Sequence, residues 1–246
     1  MSNPTTTPRF DRLDALRGLA LVWMAVFHFC FDLAHARVTT WNFYGDPVWT
    51  TQRTLILSLF LLCAGAGQAI ATHQGQTWPR FWKRWAQVAG CAVLVSVGSW
   101  VMFPQSYIYF GVLHGMAVML ILARLLAPLG PRLWWLGALW MLLPVVVSHP
   151  WFDSRWASVL GLVTRKPITE DYVPILPWFG VMCWGLACTQ WLLNAPPHWL
   201  SQAPQNASRL FRWLTVLGQW SLTFYMLHQP IMIGLLEGAL MIWRTP

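Results

Sequence analysis

An apolar run long enough to cross a bilayer recurs seven times along this 246-residue chain. The runs lie at about 13–34, 49–71, 85–103, 106–127, 131–149, 173–194 and 215–243, against the ~20 residues a helical crossing needs. A chain in lipid must bond its backbone internally, so these runs predict helices and an all-α fold. The mean hydropathy of +0.48, with 57% apolar and 10% charged residues, excludes an ordinary soluble domain. No intervening segment is long enough to fold alone. The expectation is one polytopic transmembrane helical bundle, a single domain over 1–246, with Pro230 kinking the long last span or breaking its hydrogen-bond ladder.

Seven spans put the termini on opposite sides. The sixteen Lys and Arg then divide ten to six in favour of the side holding Arg9, Arg12, Arg17, Arg80, Lys83, Arg84, Arg124, Arg132, Arg209 and Arg212. The positive-inside rule makes that side, and the N-terminus, cytoplasmic. The net charge of +8 therefore orients spans and meets anionic lipid, and no nucleic-acid partner is expected. Nineteen tryptophans, among them Trp41, Trp78, Trp134, Trp199 and Trp243, read as interfacial belts. The first span imitates a cleavable signal, but Asp32 beside Ala34-His35-Ala36 and the spans that follow favour an uncleaved one. The outer loop 150–172, with Asp153, Glu170 and Asp171, is placed to cap a site. The sequon at Asn206 falls in an inner loop and is discounted. The five cysteines lie inside apolar runs without paired spacing and read as small core residues.

The first span is not a plain anchor. At 100° per residue, Asp14, Arg17, Gly18, Leu21, Ala25, His28 and Asp32 share an arc of about 100°. Ionisable groups in hydrocarbon are costly and mark pathways or reaction sites, and this stripe runs roughly 27 Å. His28 and Asp32 are four apart, neighbours on a helix, and a carboxylate beside an imidazole prepares a general base. His114 follows Gly111 and Tyr107 on one face of the fourth span, and Ser221, Tyr225 and His228 form another in the last. The expected topology brings the three histidines to similar depth. Histidine or tyrosine in a bundle also serves as an interhelical hydrogen bond, worth about 0.6 kcal/mol, which is the first reading for Ser221, Tyr225 and Tyr107. Asp14 and Arg17 either pair with each other or leave Arg17 to a ligand phosphate. Gly65 and Gly67 read as sites of close helix packing. No HxxxH or HxH spacing supports a metal site.

Four segments in order, RLDALRGLALVWMAVFHFCFDL, YIYFGVLHGMAV, DYVPILPWFGVMCWGL and GQWSLTFYMLHQPIMIGLL, resemble a bacterial membrane family. It is grouped with the catalytic domain of heparan-α-glucosaminide N-acetyltransferase in the transmembrane acyltransferase superfamily. Asp14, Arg17 and Gly18 match its opening Asp-x-x-Arg-Gly, and His28 with Asp32 its His-x-x-x-Asp. Gly111 and His114 match Phe-Gly-x-x-His, Pro177 and Trp178 the Leu-Pro-Trp, and Ser221, Tyr225 and His228 the closing motif. The lysosomal enzymes place a proposed acetyl-accepting histidine after the first span; here segment 35–48 offers only His35.

The resemblance implies a multi-pass protein of the bacterial inner membrane that moves an acetyl group from cytosolic acetyl-CoA to an amino sugar or glycan outside. The donor would run from Asp14, Arg17 and Gly18 along the stripe. His28, held by Asp32, would deprotonate the acceptor, while His114, His228 or Tyr225 donates to the oxyanion. The rival from another class is a proton-coupled carrier or channel using the same stripe. The acceptor's identity, the acyl length, covalent against direct transfer, and whether the chain is a homo-oligomer are left open by the sequence.

Overall fold

A computed structural model describes residues 10–194 and 207–244. Arg9, Trp199, Asn206 and the side chain of Trp243, all named above, lie outside the described residues or side chains. Eight α-helices carry the chain: α1 Asp11–His35, α2 Pro47–His73, α3 Trp78–Met102, α4 Val112–Leu126, α5 Arg132–Val146, α6 Trp178–Asn194, α7 Arg209–Gln219 and α8 Ser221–Arg244. The fold is all-α, with no strand among the described residues.

Five helices are long and apolar enough to cross a membrane: α1, α2, α3, α4 with its 3-10 extension to Leu129, and α8. The expected seven are thus five by length. α5 has 15 residues and stops as the backbone turns extended at Val147. α6 has 17 and starts only after Pro177, which lacks an amide to donate. The seventh run divides at Trp220 into α7 and α8. Pro230, expected to kink that run or break its hydrogen-bond ladder, sits inside α8.

The helix starts follow local chemistry. Asp46 accepts from the Val48 amide at 2.8 Å, ahead of Pro47, and opens α2. Ser208 accepts from the Phe211 amide at 3.1 Å and opens α7. Gly75, at φ +66°, ends the turn between α2 and α3, where the left-handed backbone favours glycine.

Close contacts divide the described residues into two compact units, and the chain passes between them within α2, after Phe60. The terminal unit, 10–60 with 207–244, holds α1, the first part of α2, α7 and α8. Its core is Leu21, Met24, Phe27, Phe43 and Ile56, with Phe43 stacked on Trp49 at 4.1 Å. On α1 the polar stripe is turned inward: none of its residues is exposed, whereas Leu16, Leu19, Val26 and Phe29 are 40–57% exposed. α7 crosses α1 backbone to backbone. A Cβ on Gly18 would meet the Leu214 carbonyl, and one on Gly218 the Asp14 carbonyl.

The central unit, 61–194, packs the rest of α2 with α3 to α6. α6 is its axis, with Phe179, Met182, Cys183 and Leu186 fully buried. Gly65 and Gly185 bring α2 against α6, as the first of them was expected to do, and Gly137 and Gly180 bring α5 against α6. α3 and α5 turn bare apolar faces outward, Val93, Leu94 and Val97 on one and Leu139, Leu142 and Val145 on the other. Such faces suit lipid.

A candidate active site in the terminal unit

α8 sets the geometry. His228 is 8% exposed, and its Nδ1 lies 2.8 Å from the Tyr225 carbonyl oxygen. A carbonyl only accepts, so Nδ1 carries the proton and donates. In the neutral ring Nε2 then carries a lone pair, and it is buried with no hydrogen-bond partner among the described residues. Phe224 stacks flat on the imidazole, 5.8 Å between centroids and 7° between planes, and fixes its plane. The His28 ring of α1 stands 5.4 Å away at 60°. Tyr225 completes the ring cluster at 5.8 Å from His228.

Asp32 is 7% exposed. The expected His28–Asp32 pair does not form. The Gln229 amide nitrogen instead donates to both Asp32 oxygens, at 2.8 and 3.1 Å. Spacing of four makes two side chains neighbours but does not make them partners, and α8 offers Asp32 a fixed donor. Gln229 is the residue the sequence reading passed over. Its signal was present, since it is a polar group in mid-helix beside His228. Its own carbonyl oxygen Oε1 is buried and unpartnered. Two adjacent residues of α8 thus hold open acceptors, His228 Nε2 and Gln229 Oε1.

Toward the start of α1, Arg17 pairs with Asp14 at 3.0 Å. Gly18 has a packing reason of its own, the α7 crossing, and Gly218 belongs to that crossing as well.

His114 belongs to the central unit, and both its nitrogens are engaged there. Nδ1 accepts from the Gly111 amide at 3.3 Å, so Nε2 donates to Ser96 Oγ at 2.9 Å. Ser96 passes the chain on to the Ile108 carbonyl at 2.7 Å. His114 caps the start of α4. Tyr107 and Gly111, expected on the same helix face, precede that helix: Gly111 is its N-cap, and the Tyr107 hydroxyl meets Arg155 at 3.1 Å.

The acids of loop 150–172 are committed to local bonds. Asp171 accepts from the Val112 amide at 2.7 Å and Glu170 from the Ser106 hydroxyl at 2.5 Å. Asp153 accepts from the Thr164 hydroxyl at 2.5 Å and its amide at 2.7 Å, and the hydroxyl bond above all holds its carboxyl below the usual value. Tyr172 donates to the Ser158 carbonyl at 2.6 Å, and burial pushes its phenol well above the ordinary range.

A family model described as heparan-alpha-glucosaminide N-acetyltransferase, catalytic, matches residues 9–230. No curated protein and no solved structure matches the chain.

Proposed function

Because this chain belongs to the heparan-alpha-glucosaminide N-acetyltransferase catalytic family, we propose that it takes an acetyl group from cytosolic acetyl-CoA and transfers it to an amine or hydroxyl of a sugar or glycan beyond the membrane. The bacterial inner membrane is its proposed location. The observation that carries the reading is the buried, unpartnered Nε2 of His228 with its tautomer fixed from the other side. A base needs a lone pair of defined direction, held where water does not compete.

The acceptor nitrogen or oxygen attacks the thioester carbon while its proton passes to His228 Nε2. The tetrahedral intermediate then collapses, the carbon–sulfur bond breaks, and the imidazolium returns the proton to the departing CoA sulfur. Gln229 Oε1 is a second acceptor for an incoming N–H or O–H, and the Asp32 carboxylate fixes the amide that carries it. His28 faces the His228 ring and is placed to bind the same acceptor. The Tyr225 hydroxyl is assigned to the oxyanion. At the donor end, Asp14 holds Arg17 in place for the phosphates of acetyl-CoA, and Gly18 lets α7 close over that end. His114 is assigned the capping role that its two hydrogen bonds describe.

Sidedness is supported by charge. In the central unit Arg80, Lys83, Arg84, Arg124 and Arg132 belong to the α2–α3 and α4–α5 ends, and all three acids to the opposite loops. The basic end is proposed as cytosolic. The test is transfer by the purified protein in liposomes, with radiolabelled acetyl-CoA and an amino sugar. Label in the acetylated sugar with equal release of CoA thiol is expected. A carrier or channel would release no thiol, and its absence across a panel of amino sugars and glycans would overturn the reading.

A further inference from the structure

The central unit contains a cavity of about 720 Å³ at the end formed by the close of α2, α4 and α6 and the start of α3 and α5. Its walls include Arg124, His73, Gln190, Trp78, Trp134 and Trp191. Arg124 stands in the last turn of α4. Its guanidinium donates from Nη2 to the Gln76 carbonyl and lies 5.3 Å over the Trp78 ring, while Nη1 is buried with no hydrogen-bond partner among the described residues. Gln190 likewise gives its Nε2 to the Ala127 carbonyl at 2.8 Å and keeps Oε1 buried and unpartnered.

Among the described residues no carboxylate pairs with this cation. The sequence contains no acid between Asp46 and Asp153, nor between Asp171 and Glu237. The central unit's acids, Asp153, Glu170 and Asp171, are engaged with Thr164, Ser106 and the Val112 amide. Val112 begins α4, so its end lies about 18 Å along that helix from Arg124, at 1.5 Å per residue. A partly buried guanidinium with an open N–H in a pocket of ligand size is built to receive an anion from outside the chain.

We propose that this cavity binds a phosphate-bearing ligand. The phosphate sits on Arg124 Nη1, a donor group of the ligand meets Gln190 Oε1, and the body of the ligand lies among the three tryptophans. Two sources share that chemistry: a soluble nucleotide and the headgroup of an anionic phospholipid. The cavity belongs to the central unit and not to the Arg17 end assigned above to acetyl-CoA. The site is tested by binding, not turnover, so the two ideas fail separately.

The experiment is calorimetric titration of the full chain in neutral detergent with adenosine 3′,5′-bisphosphate, with dihexanoyl phosphatidic acid, and with adenosine as the phosphate-free control. Binding of at least one phosphate probe is expected, and none of adenosine. Arg124→Gln should weaken that binding tenfold or more, and Arg80→Gln, a base outside the cavity wall, less than twofold. Trp191→Ala, at a wall position 63% exposed and tolerant of truncation, should weaken it several-fold with the melting temperature unchanged, which keeps the test alive if Arg124→Gln fails to fold. Bisphosphate binding alone identifies a soluble nucleotide, and phosphatidic acid alone identifies a lipid. Absence of both, equal loss in Arg124→Gln and Arg80→Gln, or binding of adenosine as tight as of the bisphosphate would overturn the proposal.

Discussion

Gly218→Ala should damage the terminal unit through one methyl group. The added Cβ would meet the Asp14 carbonyl oxygen far inside ordinary van der Waals contact, and behind it lies the backbone of α1 itself. No flexible side chain can move aside, so α7 and α1 must separate. Overpacking of this kind costs about 1–3 kcal/mol. The helix-propensity gain of Gly→Ala, about 1 kcal/mol, offsets part of a cost at the upper end of that range. Losing the close α1–α7 packing beyond the clash adds to it, for a net loss of about 2 kcal/mol. For a chain of this size that lowers the melting temperature by about 4–8 °C. The control is Gly234→Ala in α8, where a new Cβ meets nothing within 4 Å, so the propensity gain stands alone. Thermal melts of both variants in one detergent measure the difference. Equal melting temperatures for Gly218→Ala and Gly234→Ala would refute the backbone crossing.

Three further outcomes follow from named bonds. Gln229→Leu strips Asp32 of both its amide bonds and should destabilise by about 1–3 kcal/mol; adding Asp32→Leu should recover most of the loss, read from melts of the single and double variants. His114→Ala leaves the Gly111 amide uncapped and should lower stability by about 1 kcal/mol, while turnover per folded molecule in the transfer assay stays within a few-fold of wild type. The depressed Asp153 carboxyl contributes stability above its ordinary pKa that is lost as pH falls through the folded value. Amide protection around 153–165, measured against the intrinsic exchange rate at each pH, should therefore hold steady down to the usual carboxylate range, near 4, and fall only below it. Thr164→Val should lower that protection already at neutral pH and flatten its pH dependence.

The helices and the inward turn of the α1 stripe were legible because burial and periodicity are properties of a single helix. What was missed depends on a second one. The partner of Asp32 is chosen by α8, two hundred residues away, and no spacing within α1 could show that Gln229 outbids His28. His114 looked as if it lay two turns into its span because the apolar run continues upstream through 106–111, yet hydrogen bonds with the loop near Asp171 open the helix only at Val112 and leave His114 in its first turn. The break at Trp220 was masked by an apolar average, although Gly218 and Ser221 bracket it in the sequence. Pro230 drew the attention instead, and within a long helix it removes one hydrogen bond without ending the element.

The central claim is that His228 Nε2 takes the acceptor's proton. Its most direct test is acetyl-transfer kinetics of His228→Ala beside His28→Ala, with acetyl-CoA affinity measured in parallel. His228→Ala is predicted to lower turnover about 10²–10⁴-fold while the donor's affinity stays within a few-fold of wild type, and His28→Ala to lose less turnover. Retention by His228→Ala of a tenth or more of wild-type turnover would contradict the account.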